Sequence, residues 1–290
     1  MLIDYIKVIP QYFLPTHFIS KLFFLATRSR NKAWKNWLIN WFIKTYGVDM
    51  SIAAEQNIGN FPDFNSFFTR SLRPGARPVT QAPGAINSPV DGAVSQIGEI
   101  AEDQIFQAKG HGFSLQQLLG RETEDWHAFV NGAYCTIYLS PKDYHRIHMP
   151  IAGTVNQMVH IPGRLFSVNA ATTRRIPALF ARNERVVVLF DTDLGKMAMV
   201  LVGALNVSQI DTVWAEKVHG PDPQRSHRWS YPDREVIRLQ AGDEMGRFNM
   251  GSTVILLFEK NKINWEQQIA ANSVVNMGQL IGRCLDPSAG

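Results

Sequence analysis

Cysteine is scarce in this sequence, long apolar runs are missing, and the signatures of the commoner hydrolase and zinc sites are missing too. Among 290 residues there are two cysteines, Cys135 and Cys284, far apart and in no Cys-x-x-Cys pair. That argues against a disulfide scaffold and a cysteine-based zinc site, and two thiols fit a reducing compartment. No run of roughly 18 apolar residues occurs, so no membrane-crossing helix is predicted. The longest apolar stretch, 197–207, reads as a buried strand. Asp4 and Lys7 interrupt the first apolar residues and no small-x-small site follows, so no export signal is expected. No His-Glu-x-x-His or His-x-x-x-His pattern supports His145 and His148 as ligands, and no metal is expected. The esterase elbow Gly-x-Ser-x-Gly is absent around Ser252, and the fragment beginning at Gly112 lacks its second glycine. That disfavours a lipase.

What is present is unevenly distributed. Hydrophobic residues make up 45% and charged residues 19%, ample for a packed core. The net charge is +4, yet residues 1–50 alone hold seven Lys/Arg against two Asp/Glu. The body is therefore close to neutral, which argues against nucleic-acid binding and for a basic attachment segment. The same 50 residues carry 11 aromatics, among them Trp34, Trp37 and Trp41. Phe18, Leu22 and Leu25 recur at helical spacing, as do Trp34, Trp37, Leu38 and Trp41. Helices are predicted over about 17–28 and 31–46. Tryptophan beside Lys/Arg is the composition of a helix lying in a lipid headgroup layer. The competing reading packs these aromatics on the body.

Three regions follow from this texture. Residues 1–50 form the amphipathic helical membrane-association segment. Residues 51–84 hold a short helix and a Pro/Gly linker. Residues 85–290 are expected to form a β-rich domain, the one that would carry any catalytic site. Strands are predicted at 134–139, 154–160, 185–191, 197–210, 235–239 and 253–258, with helices near 114–119 and 167–181. The fold class is α+β, with a mainly β core behind the N-terminal helices. Ser88-Pro-Val-Asp-Gly-Ala-Val94 and Met149-Pro-Ile-Ala-Gly-Thr-Val155 share Pro-x-x-Gly-x-Val, the pattern of two equivalent turns leading into strands.

Asp91, His148 and Ser252 each lie beside such a Gly/Pro turn. Singly, each reads as an ordinary turn or loop residue. Together they could converge as carboxylate, general base and nucleophile.

Six motifs carry a family resemblance. They are Ser88-Pro-Val-Asp-Gly92, Gln107-Ala-Lys-Gly-His111, Ser140-Pro-Lys-Asp-Tyr-His-Arg-Ile-His-Met-Pro150, Pro162-Gly-Arg-Leu-Phe-Ser-Val-Asn169, Leu179-Phe-Ala-Arg-Asn-Glu-Arg185 and Gly246-Arg-Phe-Asn-Met-Gly-Ser-Thr253. From about Phe61 to Met277 the chain resembles the bacterial membrane-associated phosphatidylserine decarboxylases. The family's Leu-Gly-Ser-Thr is here Met250-Gly-Ser-Thr253, a swap that keeps bulk and polarity. The resemblance implies a proenzyme that cuts itself between Gly251 and Ser252. Ser252 would attack, His148 act as base, and Asp91 orient His148. The products would be a β chain, 1–251, and an α chain, 252–290, whose Ser252 has become a pyruvoyl group. That group is the implied cofactor, an electron sink once the substrate's amine condenses with it.

The implied reaction turns phosphatidylserine in the bilayer into phosphatidylethanolamine and carbon dioxide, a step of phospholipid biosynthesis. His145 is the favoured donor of the proton returned to the α-carbon, with His148 the alternative. Arg182 and Arg185 are candidates for pairing with the lipid phosphate. An anionic membrane surface is the expected partner of the basic segment, at roughly 1 kcal/mol per Lys/Arg. The expected location is peripheral, on the cytoplasmic face of the bacterial cell membrane, with no nucleic-acid partner. The two chains are expected to stay together, and a homodimer of such pairs is one assembly open to them. A lipid-directed serine hydrolase, a non-catalytic membrane adaptor and a pyruvoyl enzyme acting on free amino acids remain as alternative readings.

Overall fold

The computed structural model describes residues 2–285 except 109, 206–208, 216–217, 219–221, 223, 232–235 and 250–251. Three helices open the chain: α1 (Leu2–Phe13), α2 (Thr16–Thr27) and α3 (Lys32–Tyr46). The short α4 (Phe64–Phe68) precedes the strands, and α5 (Leu115–Leu119), α6 (Ala170–Arg175) and α7 (Leu179–Arg182) interrupt them. The strands are β1 (Ala85–Asn87), β2 (Gly92–Glu99), β3 (Gln104–Ala108), β4 (His111–Ser114), β5 (Ala133–Leu139), β6 (Arg146–His148), β7 (Gly153–Ile161), β8 (Arg185–Thr192) and β9 (Gly195–Val202). They continue as β10 (Gln209–Thr212), β11 (His227–Ser230), β12 (Arg238–Leu239), β13 (Glu244–Asn249), β14 (Ser252–Phe258), β15 (Ile263–Trp265), β16 (Val274–Val275) and β17 (Leu280–Cys284).

A central antiparallel sheet runs β11-β7-β8-β9-β14-β5-β2-β16, with β12 also pairing β7. Its middle strands read as almost unbroken apolar runs, such as Val186–Phe190 and Val254–Phe258, because they are buried. Two three-stranded sheets flank it, β1-β17-β15 and β10-β13-β6. The mainly β core expected from the sequence is present. Both Pro-x-x-Gly-x-Val turns do lead into strands of the central sheet, β2 at Gly92 and β7 at Gly153.

The N-terminal segment uses its aromatics on two sides. Ile39 and Phe42 of α3 are buried against Phe61, Phe64, Phe67 and Phe68, a small core separate from the main one. Lys35 is buried there too, its Nζ donating to the carbonyls of Ile58, Gly59 and Phe61. Trp34, Trp37 and Trp41 lie on the outer side, and Trp37 is 57% exposed. Phe13, Phe18, Leu22 and Leu25 are exposed as well. Part of the segment therefore packs, as the competing reading held, and part presents an apolar face. Gly47, at φ +67, closes α3 in a left-handed cap that a side chain would strain.

Three differences from the sequence reading have physical causes. The helix expected over 167–181 is two, α6 and α7, because Pro177 disfavours helix at the residue before it. The strand expected over 197–210 is β9 and β10, which belong to different sheets. Helix α1 has no counterpart in the sequence reading, since Asp4 and Lys7 obscure its apolar pattern. It is held to the body by Val8, in the main core, and by Gln11, which exchanges hydrogen bonds with Ser167. Among the described residues no helix is long and apolar enough to cross a membrane.

Candidate active site

The turn at residues 88–91 is fastened on two sides. Ser88 N–H donates to the Gln279 carbonyl, and Gly278 N–H donates to the Ser88 carbonyl. His148 N–H, at the end of β6, donates to the Pro89 carbonyl at 2.8 Å. That bond ties the Asp91 turn to the His148 strand, although the two residues are 57 apart in sequence.

Asp91 is 5% exposed. Its carboxylate accepts from Arg77 Nε (2.8 Å) and Nη2 (2.6 Å), and from the backbone N–H of Met277 (2.8 Å). A fork of this kind fits both carboxylate oxygens. Its hydrogen bond to Asp91 holds the Arg77 guanidinium above its ordinary pKa.

His148 is also buried. Its Nδ1 lies 2.8 Å from the Gly242 carbonyl, and its Nε2 lies 3.1 Å from the Tyr144 hydroxyl. A carbonyl can only accept, so Nδ1 carries the proton and Nε2 presents its lone pair. Burial lowers the His148 pKa, with the Gly242 hydrogen bond and the more distant Glu244 and Asp91 charges opposing it. The imidazole is thus neutral, with Nε2 in the form a general base requires. His148 Nδ1–H donates to the Gly242 carbonyl, while Asp91, expected to orient His148, is linked to it through the Pro89 carbonyl. Asp91 spends its hydrogen bonds on Arg77 and Met277 and reaches His148 through the Pro89 bond and its charge.

His145 is fully buried, with its ring centroid 4.1 Å from that of Phe68. Its Nδ1 donates to the Asp143 carbonyl (2.8 Å), and its Nε2 has no partner among the described residues. Burial lowers its pKa to about 3. At neutral pH its imidazole is therefore neutral.

Ser252 begins β14, paired with Leu139 of β5. Its side chain, and Gly251, fall outside the described residues. The next residue, Thr253, is fully buried, and its Oγ1 lacks a partner among the described residues. Ser140–Asp143, the turn that follows Leu139, is closed by Asp143 Oδ2 accepting from the N–H and hydroxyl of Ser140. A cleft of about 190 Å³ lies one strand away, lined by Ala93, Gln107, Tyr138, Val168, Thr173 and Arg174 among others. Tyr138 in its wall pairs with Thr253 across β5 and β14.

The two arginines part company. Arg182 is exposed and sits over the rings of Tyr12 and Phe166, at 5.6 and 5.3 Å. Arg185 is 3% exposed and donates to the carbonyls of Leu118, Ala181, Asn183 and Gln117. These four hydrogen bonds tie the guanidinium to the backbone around α5 and α7. Three contributors escaped the sequence reading: Arg77, Tyr144 and Gly242. Tyr144 lies inside a motif, but Arg77 falls in the linker and Gly242 outside every motif.

A family model described as phosphatidylserine decarboxylase matches residues 64–283. The chain belongs to the phosphatidylserine decarboxylase family. A second model, described as PSD, matches residues 6–47, so the helical segment is also matched. The chain is 51% identical over 275 residues to a phosphatidylserine decarboxylase proenzyme of Pseudomonas putida, covering 94% of this chain and 96% of the relative. It is 50% identical over 276 residues to one of Ectopseudomonas mendocina, covering 95% and 96%. A third, of Marinobacter nauticus, is 49% identical over 283 residues, covering 97% and 99%.

Proposed function

We propose that this decarboxylase cuts its own chain between Gly251 and Ser252 and then converts phosphatidylserine to phosphatidylethanolamine and carbon dioxide at a membrane surface. One observation carries the reading: a neutral, buried His148 whose Nε2 lone pair faces the Tyr144 hydroxyl, fastened to the Asp91 turn. Ser252 transfers its hydroxyl proton to His148 as its Oγ attacks the Gly251 carbonyl, and an ester replaces the amide. Loss of the Ser252 α-proton then expels the Gly251 carboxylate. Addition of water and release of the Ser252 nitrogen as ammonia leaves a pyruvoyl group at residue 252.

The surroundings fit such a group. Thr253 Oγ1 and His145 Nε2 are buried polar atoms without partners among the described residues, available to a carbonyl-bearing end and its substrate. The group supplies an electron sink for the carboxylate's departure. The chain supplies the rest. His145 is the candidate donor of the proton returned to the substrate's α-carbon, with His148 the alternative. Asp91, held by Arg77 and Met277, fixes the turn to which His148 is fastened. The exposed Arg182, beside α1, offers a guanidinium to the lipid phosphate.

The exposed faces of α2 and α3 bring these residues to lipid. Trp34, Trp37 and Trp41 form a stacked row, with centroids 5.2 and 6.5 Å apart. Such a row suits the interface of a bilayer, and the surplus of Lys/Arg suits its anionic cytoplasmic leaflet. The processed chains stay together because β14 lies between β5 and β9 of the other chain.

The test compares the wild-type protein with Ser252→Ala on a denaturing gel and in vesicles containing phosphatidylserine. The wild type should give a large and a small chain and release carbon dioxide, and Ser252→Ala should do neither. An intact, active wild-type chain would favour a serine hydrolase and refute the proposal.

A further inference from the structure

The bond proposed for cleavage lies between two different sheets. On its amino side β13 ends at Asn249, in the sheet β10-β13-β6. On its carboxyl side β14 begins at Ser252, in the central sheet. Only Met250 and Gly251 separate them in sequence. Ser252 is held by its pairing with Leu139. Asn249 forms the terminal pair of its ladder, opposite Gln209, and terminal pairs are where strands fray.

The Asn249 side chain counters that fraying. It is 1% exposed and bridges two elements. Its Nδ2 donates to Asp211 Oδ2 of β10 (2.8 Å), and its Oδ1 accepts from Asn65 Nδ2 of α4 (2.9 Å). The amide orientation is fixed by chemistry, because a carboxylate can only accept and must face the nitrogen. Asn65 is itself buried on α4, whose amino end is capped by Asp63. The neighbouring Phe248 N–H donates to the carbonyl of His145. The strand leading to the scissile bond is thus anchored to α4, to β10 and to the segment that carries both histidines.

We propose that Asn249, clamped between Asp211 and Asn65, is a positioning residue for self-cleavage, holding the amino side of the Gly251–Ser252 bond in place for attack. The inference rests on the cleavage proposed above. Attack of a serine hydroxyl on the carbonyl immediately before it needs both flanks of the bond fixed, and misplacement by about 1 Å can cost a hundredfold in rate. The β14 register fixes one flank, and the clamp fixes the other. Two directional hydrogen bonds, to Asp211 and from Asn65, specify one geometry where an apolar contact would tolerate several. After cleavage the same clamp lies two residues from the new chain end and retains it.

The test exploits the fixed orientation. Asn249→Asp sets two carboxylates against each other and should slow self-cleavage about a hundredfold. Asp211→Asn can still present an amide oxygen and should slow it little. The double variant N249D/D211N restores both hydrogen bonds of the clamp with the charge moved to position 249, and should cleave within about threefold of wild type. Cleavage is followed by intact mass from the end of synthesis. Hydroxylamine, which opens an ester, should not release fragments from N249D, because the clamp acts before the ester forms. Urea unfolding of each variant combined with Ser252→Ala measures stability with the chain kept whole. Slow cleavage in a variant as stable as its parent supports the clamp. So does rescue by the double variant if N249D is itself destabilised. N249D cleaving at the wild-type rate, or a stable double variant that stays slow, overturns the clamp alone. An uncleaved wild-type chain overturns the proposed function and the clamp together.

Discussion

Replacing Arg185 by Met separates a structural cation from a lipid-binding one. Arg185 makes four hydrogen bonds to backbone carbonyls, between 2.6 and 2.9 Å. Hydrogen bonds from a charged donor contribute about 1.5–3 kcal/mol each. Burying the charge offsets part of this: desolvation lowers the guanidinium pKa from 12.5 to about 10, a cost of about 3 kcal/mol. Met fills the space of the stem but leaves four carbonyls without that donor. The carbonyls belong to two separate helical segments, around α5 and α7, so their relative position should loosen. A net loss of about 3–5 kcal/mol follows. At roughly 2–4 °C per kcal/mol, the melting temperature should fall by about 10 °C. Urea unfolding measures the loss, and initial rates on phosphatidylserine vesicles measure the affinity of the folded fraction. Unchanged stability with weakened affinity for phosphatidylserine would refute the structural assignment.

Three further outcomes are expected. Folding should place His145 below its ordinary pKa of 6.5, at about 3. Its contribution is therefore complete above pH 6.5 and is lost as pH falls from 6.5 toward 3. The slope is about 1.4 kcal/mol per pH unit, so His145→Gln should flatten the acid limb of stability measured by urea unfolding. Burial also depresses the His148 pKa, so the self-cleavage rate of freshly made protein should stay level as pH falls through 6.5 and drop only below it. A half-maximal rate at or above pH 6.5 would contradict that. Replacing Trp37 and Trp41 by Ala removes exposed aromatics and should weaken binding to phosphatidylserine vesicles about tenfold or more. Melting temperature should be unchanged, and equal sedimentation with vesicles would count against the docking face.

The long periodic elements were legible in the sequence. Helices α2 and α3, and strands β5, β7, β8 and β14, follow from apolar spacing, since burial on one or both sides writes itself into residue type. Helix α1 was not legible, because Asp4 and Lys7 break its pattern and its docking contacts include only scattered residues, Val8, Gln11 and Tyr12. Asp91 and His148 were found as turn residues and through the family motifs. The link between them was not, because it runs through the Pro89 carbonyl, and a backbone atom leaves no mark on residue identity. Gly242 is hidden for the same reason. Arg77 reads as one more linker arginine until the fold brings it to Asp91. The burial of Arg185 was not legible either, because sequence shows a guanidinium but not the four carbonyls it bonds.

The central claim is a chain that remakes its own Ser252. It is tested most directly by intact mass of the purified protein with and without borohydride, in the presence of phosphatidylserine. The account predicts two chains, 1–251 and 252–290. The shorter should lack a free amine and carry a pyruvoyl mass at residue 252, and borohydride should shift it by the mass of a trapped amine adduct. A single unmodified chain of 290 residues that still releases carbon dioxide from phosphatidylserine would contradict the account.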